Sequence, residues 1–167
     1  MSLAQDIAKI EEQEQVLRFK AFDEHTAWAL GSAMRAEAEK QKLPLVIDIR
    51  IGPRQMFFAA LPGTAPDNSE WVRRKANSVL RFHRSSYLLN RQYEQSARSF
   101  GTAMGIDPMD HANAGGGFPL TIEGVGVIGS ITVSGIPQRD DHGFVVQALC
   151  AFLGKNHAKL ALEPEGK

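Results

Sequence analysis

Leu45-Val46-Ile47-Asp48-Ile49-Arg50-Ile51-Gly52-Pro53, continuing through Gln55 to Leu61, is the stretch that decides the fold. Leu45, Ile47, Ile49 and Ile51 alternate with Val46, Asp48 and Arg50. Successive side chains of a strand point to opposite faces, so this pattern predicts a half-buried strand. Gly52-Pro53 turns the chain, and the apolar, aromatic run from Gln55 to Leu61 returns as a second strand. The pair predicts an antiparallel hairpin near the centre of a sheet, ended by Pro62-Gly63-Thr64-Ala65-Pro66.

A second hairpin is expected further on. Phe118 to Ile122 reads as a strand, Glu123-Gly124 as a tight bend, and Val125 to Ser134 as a long strand. Val125, Val127, Ile131 and Val133 share one of its faces. Gly126, Ser130, Thr132 and Ser134 form the other, small enough for something to approach closely.

Helices are expected around the hairpins. Leu3, Ile7 and Ile10 suggest a short amphipathic leading helix, followed by a short strand at Val16 to Phe19. Asp23 can cap a helix with the stripe Ala27, Leu30, Met34 and Ala38, stopped by Pro44. Asp67-Asn68-Ser69-Glu70 matches a capping box opening a helix through Phe82. After Ser85-Ser86, the stripe Leu89, Tyr93, Ala97, Phe100 and Met104 predicts another, ended by Gly105. Asp107 to Gly117 reads as a loop, and a last helix from about Arg139 to Leu153 buries Val145, Ala148, Leu149 and Phe152. Hairpins joined through helices predict an α/β fold of the α+β type: a mainly antiparallel central sheet with helices packed on it, profilin-like or PAS-like.

The totals narrow the class. At 167 residues the chain fits one domain, residues 1–167, with frayed ends expected. Apolar residues make up 43% and charged residues 23%, the balance of a globular chain rather than a disordered one. Lys plus Arg and Asp plus Glu are both 19, so no overall field draws the protein to nucleic acid or to a membrane surface, and any anion site must be local. No apolar run approaches membrane-spanning length, and the first ten residues lack the continuous apolar core of an export signal. Cys150 is the lone cysteine, which excludes a disulfide framework within the chain and suits a reducing cytoplasm.

Gly124-Val125-Gly126-Val127-Ile128-Gly129 spells a dinucleotide-binding fingerprint, but that motif works where a strand turns through glycines into a helix. Here Ile131, Thr132 and Val133 continue a strand, so neither a nicotinamide nor a flavin is expected. Gly115-Gly116-Gly117-Phe118-Pro119-Leu120, then Gly126-Val127-Ile128-Gly129-Ser130-Ile131-Thr132-Val133-Ser134-Gly135, then Gln138-Arg139-Asp140-Asp141-His142 carry a resemblance instead. In that order they are similar to the Gly-Gly-x-Pro-Leu element, the glycine-punctuated strand ending in a turn, and the acidic opening of the final helix found in the haem-degrading-domain family, whose members include HbpS-like and GlcG-like proteins. The likeness covers about residues 110 to 153 closely and the first half by element order. Asp141-His142 and the segment Trp71 to Ser86 suggest a short cytosolic branch.

The resemblance implies binding, degradation or sensing of haem, assembly as a homo-oligomer, and a ligand pocket at Gly116, Gly117, Phe118 and Pro119, closed by Ser134 and Gly135, with Asn113 beside it. Among the residues themselves, His111 is a candidate ligand of haem iron or another metal, with Asp110 to orient it. His142 is a second metal candidate, flanked by Asp140 and Asp141. Those two aspartates suit the start of a helix, by its dipole and as caps, which is the simpler reading; acid/base roles with His111 or His142, or roles as ligands of a divalent ion, are the other. Arg74, Ser78 and Arg81 fall at i, i+4 and i+7, so two guanidinium groups can converge on one anion, or simply face solvent with Lys75 nearby. The expectation is a small-ligand-binding domain for haem, another tetrapyrrole or a similarly flat anionic molecule. A small acid/base or metal-assisted enzyme for an anionic metabolite, with His111, Asp140 or Asp141 catalytic, and a structural or adaptor oligomer with a vestigial pocket are the alternatives.

Overall fold

The alternating run becomes β1 (Val46–Ile51), and beyond the Gly52-Pro53 turn its partner is β2 (Arg54–Ala60). The computed structural model describes residues 2–163; the outermost residues at which fraying is expected, Met1 and residues 164–167, lie outside that range. The second hairpin is β3 (Gly117–Ile122) and β4 (Gly126–Ser134). The four strands form one sheet in the order β2-β1-β4-β3, every neighbouring pair antiparallel. The glycine run at 124–129 opens in the turn of this second hairpin, with φ of 76° at Gly124, and from Gly126, φ 118°, it is already β4.

Helices α1 (Leu3–Val16), α2 (Glu24–Lys40), α3 (Pro66–Phe82), α4 (Ser86–Gln95), α5 (Gln138–Leu153) and the short α6 (His157–Leu160) complete the chain, with a 3-10 turn at Thr102–Met104. On one face, α2 covers β1 and β2 while α5 covers β4 and β3. Leu45, Ile47, Ile49, Phe118, Leu120, Ile131 and Val133 meet Leu30, Met34, Val145 and Leu149 there in the main core. Gly31 is what lets α2 approach β2, since a Cβ on it would stand 2.3 Å from the Phe57 ring. The other face carries α3, chiefly over β4 and β3, so β1 is buried on both sides rather than on one. The small residues Ser130, Thr132 and Ser134 make that second approach close, and all three are buried. A smaller cluster of Ile10, Tyr87 and Leu88 joins α1 to α4.

Several local expectations give way to packing. Phe19 makes a single parallel bridge to Ile122 instead of a strand, because α1 runs on to Val16. Helix α3 starts two residues earlier than the capping pattern suggests, with Ala65 at the cap and Pro66 at its first position; the Asn68 Oδ1 accepts from Ala65 N at 2.8 Å, and Asp67 holds the Trp71 indole instead. Helix α4 stops at Gln95, well short of Met104, and Ala97 takes a left-handed φ of 51°. Phe100 then folds back onto Tyr93 and Phe82, so the helically spaced apolar residues pack a loop. Gly105 ends the 3-10 turn rather than a long helix. On α5, Phe152 is 38% exposed and Ala148 is half-buried.

Candidate ligand-binding cleft

Helices α3 and α5 lie on opposite faces of the sheet, yet their N-terminal halves meet past its end, where β4 finishes and β3 begins. Lys75 of α3 shares the apolar side of its helix with Val72, Ala76 and Val79, and all four are buried. Its Nζ lies 2.8 Å from Asp141 Oδ2 on α5 and donates to the Val133 carbonyl at 3.1 Å. The Asp141 Oδ1 accepts from Ile136 N at 3.3 Å, just ahead of α5. Both side chains are almost completely enclosed, at 3% and 2% exposure.

Gly116 makes room for this pair, and Gly135 lets the end of β4 pass the chain at Pro44. A Cβ on Gly116, whose φ is 121°, would stand 2.4 Å from the Val133 carbonyl and 2.9 Å from Lys75 Nζ. One on Gly135, with φ 152°, would run into the Pro44 carbonyl at 1.8 Å. Only glycine fits at either point, by space and by backbone conformation. Above the pair opens a cleft of about 270 Å³, lined by Asp67, Asn68, Trp71, Lys75, Ala114, Ser134, Gly135, Ile136, Gln138 and Asp141. Trp71 is fixed there: its Nε1 donates to Asp67 Oδ2 at 3.2 Å, and the Arg74 guanidinium stacks 4.1 Å from its ring centroid.

Electrostatically the pair is under tension. Burial pushes the Asp141 carboxyl up to about 6 against the pull of Lys75, and burial likewise pulls the Lys75 ammonium down against the pull of Asp141. Both charged forms are therefore less favoured here than in water, and a proton passes between them more easily.

The structure distributes the sequence candidates unevenly. Asp141, Ser134 and Gly135 line the cleft, and Gly116 packs directly beneath it. Gly117 N donates to Ser86 Oγ at 2.9 Å, and Phe118 is wholly buried with its ring against His142, so neither presents a free surface. Pro119 is buried on β3 and borders a different pocket, near Arg84. Asn113 is half-buried on the loop before Ala114. His111 is half-buried on the same loop, its Nδ1 3.2 Å from the Asp107 carbonyl. Asp110 does not orient it; that carboxylate accepts from Arg73 Nη1 at 2.9 Å.

His142 is enclosed among Tyr87, Phe118 and Gln13, with Nε2 2.8 Å from Gln13 Oε1. Desolvation pulls its pKa down to about 3, so it is a neutral core imidazole. His111 and His142 thus sit in separate surroundings, and among the described residues no group of three His, Cys, Asp or Glu side chains could hold a metal ion. Asp140 is exposed, and the N-cap position of α5 is Pro137, with no side-chain cap, so neither aspartate serves as N-cap. Arg74 and Arg81 do not converge: Arg74 stacks on Trp71, whereas Arg81 donates to the Gly105 carbonyl at 3.0 Å. Lys75 and Trp71, with Asn68 and Gln138, are cleft residues that the sequence reading did not place in the site. The signal for Lys75 was its position between Val72 and Val79 on the apolar side of α3.

Three layers, helix on sheet on helix, with a small cleft where the two helical layers meet, define an α+β domain. Residues 22–150 match the family model described as haem degrading protein HbpS-like, and the chain belongs to this family. It is 47% identical over 167 residues to a UPF0303 protein of Pseudomonas entomophila, covering 100% of this chain and 93% of that one. It is 48% identical over 167 residues to a UPF0303 protein of Mesorhizobium japonicum, with 100% of both chains covered. Among solved structures, the Ybr137w protein superposes with a TM-score of 0.79 at 24% identity, covering 89% of this chain and 87% of that one. The PduOC haem complex follows at a TM-score of 0.66 and 21% identity, with 79% and 94% covered. HbpS gives 0.63 at 23%, with 82% and 93% covered. These three establish the shared fold.

Proposed function

We propose that the chain, acting as one domain, is a small-ligand-binding module whose ligand is a flat anionic molecule such as haem, another tetrapyrrole or a similar planar acid. The observation that carries this reading is the buried Lys75–Asp141 pair beneath a cleft walled by Trp71. A buried ion pair contributes little or nothing to stability over an apolar pair of the same volume, so its presence at a cleft floor favours a binding role. The ammonium would meet an anionic edge of the ligand, and the Trp71–Arg74 stack would lie along its flat face. Haem enters through the family and through PduOC, which is a haem complex.

The cleft fits the face and the anionic edge of such a molecule better than its metal. Its lining includes no His, Cys, Tyr or Met. Iron ligation would fall to His111, whose Nε2 is left open by the contact of Nδ1 with Asp107. A ring as large as a tetrapyrrole would extend past the cleft's about 270 Å³, over the Trp71–Arg74 rim.

The setting we propose is cytoplasmic and homo-oligomeric, with neither nucleic acid nor membrane as partner. Among the described residues no helix is long and apolar enough to cross a membrane. The edge strand β2, with Phe58 at 46% and Trp28 at 69% exposure beside it, supports association between copies. An acid/base enzyme acting on an anionic metabolite is the second reading, favoured by the Asp141 carboxyl near 6 next to an amine.

Haemin titration followed in the Soret band tests the proposal, with His111→Ala and Lys75→Met alongside. A saturable shift of one haemin per chain, weakened by Lys75→Met, is expected. A non-saturating shift indifferent to both variants would overturn it.

A further inference from the structure

Lys75 is held in a way that simple anion binding does not require. An ammonium that did no more than meet an anion could stay solvated at the rim, like Arg73 or Arg81. Lys75 instead ends at the floor of the cleft with its Nζ bonded to a carboxylate and a carbonyl. Two of its tetrahedral directions beyond the Cε bond are spent on Asp141 Oδ2 and on the Val133 carbonyl, at 2.8 and 3.1 Å. One direction is left over, and the side chain lines an open cleft. Once the nitrogen has given a proton to Asp141, a turn about the Cε–Nζ bond brings the lone pair into that direction. A proton acceptor already stands within hydrogen-bond distance of the same nitrogen.

We infer that Lys75 is a nucleophilic amine that forms a Schiff base with a planar, anionic aldehyde or ketone held in this cleft. The proposal rests on the reading of the cleft as a site for flat anionic ligands, and it names the functional group that the ligand carries. Trp71 provides the stacking face beside the nitrogen. Gln138 and Asn68, whose side chains line the same cleft, provide polar groups for the ligand's periphery.

The step balances within the pair. Lys75 passes one proton to the Asp141 carboxylate, and its lone pair adds to the carbonyl carbon. A C–N bond forms while the C=O π pair moves onto oxygen. Transfer of a nitrogen proton to that oxygen gives a neutral carbinolamine. Asp141 then protonates the hydroxyl, water departs as the C–O bond breaks, and the nitrogen lone pair closes the C=N bond. The product is a protonated imine beside an Asp141 carboxylate, so the original ion pair is regenerated around a new bond and the one by-product is water. No oxidant or reductant enters. Burial supports the chemistry, because it lowers the cost of the neutral amine and of the protonated carboxyl together.

Reductive trapping tests this. The intact protein is incubated with pyridoxal 5′-phosphate, a flat aromatic aldehyde with an anionic group, then treated with cyanoborohydride and mapped by peptide mass. A single adduct at Lys75 forming at least tenfold faster than at any other lysine is expected. In Asp141→Asn that rate should fall at least tenfold while labelling of the exposed lysines is unchanged. Labelling of Lys75 no faster than that of the exposed lysines in the wild-type protein would overturn the proposal, whatever the variants do. Pyridoxine 5′-phosphate, the alcohol of the same shape, is titrated in parallel against Trp28→Phe, whose fluorescence comes from Trp71. Saturable quenching without an adduct would refute the Schiff base and leave the binding reading standing, whereas neither quenching nor adduct would refute both.

Discussion

Replacing Lys75 by Met removes the ammonium while keeping most of the side chain's volume, and it leaves the Asp141 carboxylate alone in a dry site. Breaking a buried pair from one side costs about 3–5 kcal/mol. The structure gives that cost a pH signature. In the wild type Asp141 titrates near 6, above the 3.8 of an unfolded chain, so the stability tied to its protonated form is present below 3.8 and is lost as pH rises through 6. Without Lys75 the folded carboxyl moves higher still, and the loss continues to higher pH. At pH 8, two pH units above the wild-type value, holding the carboxyl protonated costs about 3 kcal/mol more than in the wild type. At pH 5 both proteins keep it protonated, so that difference vanishes. Urea unfolding of Lys75→Met and of wild type at the two pH values should therefore show a deficit at pH 8 that largely closes at pH 5. Lys75→Met with Asp141→Asn should recover to the wild-type level or above at pH 8. An equal deficit at both pH values, or a double variant no better than the single one, would refute the assignment of the pair as an electrostatic burden carried for function.

Two more consequences follow from the same neighbourhood. His142 is neutral in the fold, its pKa near 3 against 6.5 in the unfolded chain, so its stabilising share is whole above 6.5 and drains away as pH falls toward 3, by up to about 5 kcal/mol. His142→Gln, which can keep a hydrogen bond to Gln13, should flatten the acid limb of a melting-temperature profile over that window; an unchanged limb would contradict the burial argument. Gly116→Ala forces a Cβ onto the Val133 carbonyl and Lys75 Nζ, and should destabilise by at least about 1–3 kcal/mol in urea unfolding; wild-type stability would show that the floor of the cleft is not close-packed.

Strand pairing was the legible part of the fold, because period-two alternation is a local property of the chain. Leu45, Ile47 and Ile49 against Asp48, and Ile131 and Val133 against Ser130 and Thr132, announce both hairpins before any contact is known. The end of α4 was not legible. Leu89, Tyr93, Ala97, Phe100 and Met104 keep helical spacing, but Phe100 finds its partners, Tyr93 and Phe82, by folding back. The start of α3 was misplaced for a smaller reason: Pro66 suits a first helical position and outranks the capping pattern one residue on.

The site divided along the same line. Gly116, Ser134, Gly135 and Asp141 could be singled out because glycines and a family-like element frame them. Lys75 was hidden by its neighbours, since Arg73, Arg74 and Lys75 in sequence suggest a solvated basic face. What decides between them is which of the three shares an angular position with Val72, Ala76 and Val79, and only α3 lying against β4 makes that difference one of burial. Trp71 needed the approach of α5 from the other side of the sheet.

The cleft as the ligand site is tested most directly by reading the tryptophan in its wall. The chain has two tryptophans, so Trp28→Phe leaves Trp71 as the sole reporter. Haemin added to that variant should quench Trp71 saturably at one molecule per chain, and the same titration with Lys75→Met added should shift the midpoint at least tenfold upward. Haem taken up with its full Soret shift and a midpoint that Lys75→Met leaves unchanged would place the ligand elsewhere on the molecule and contradict the account.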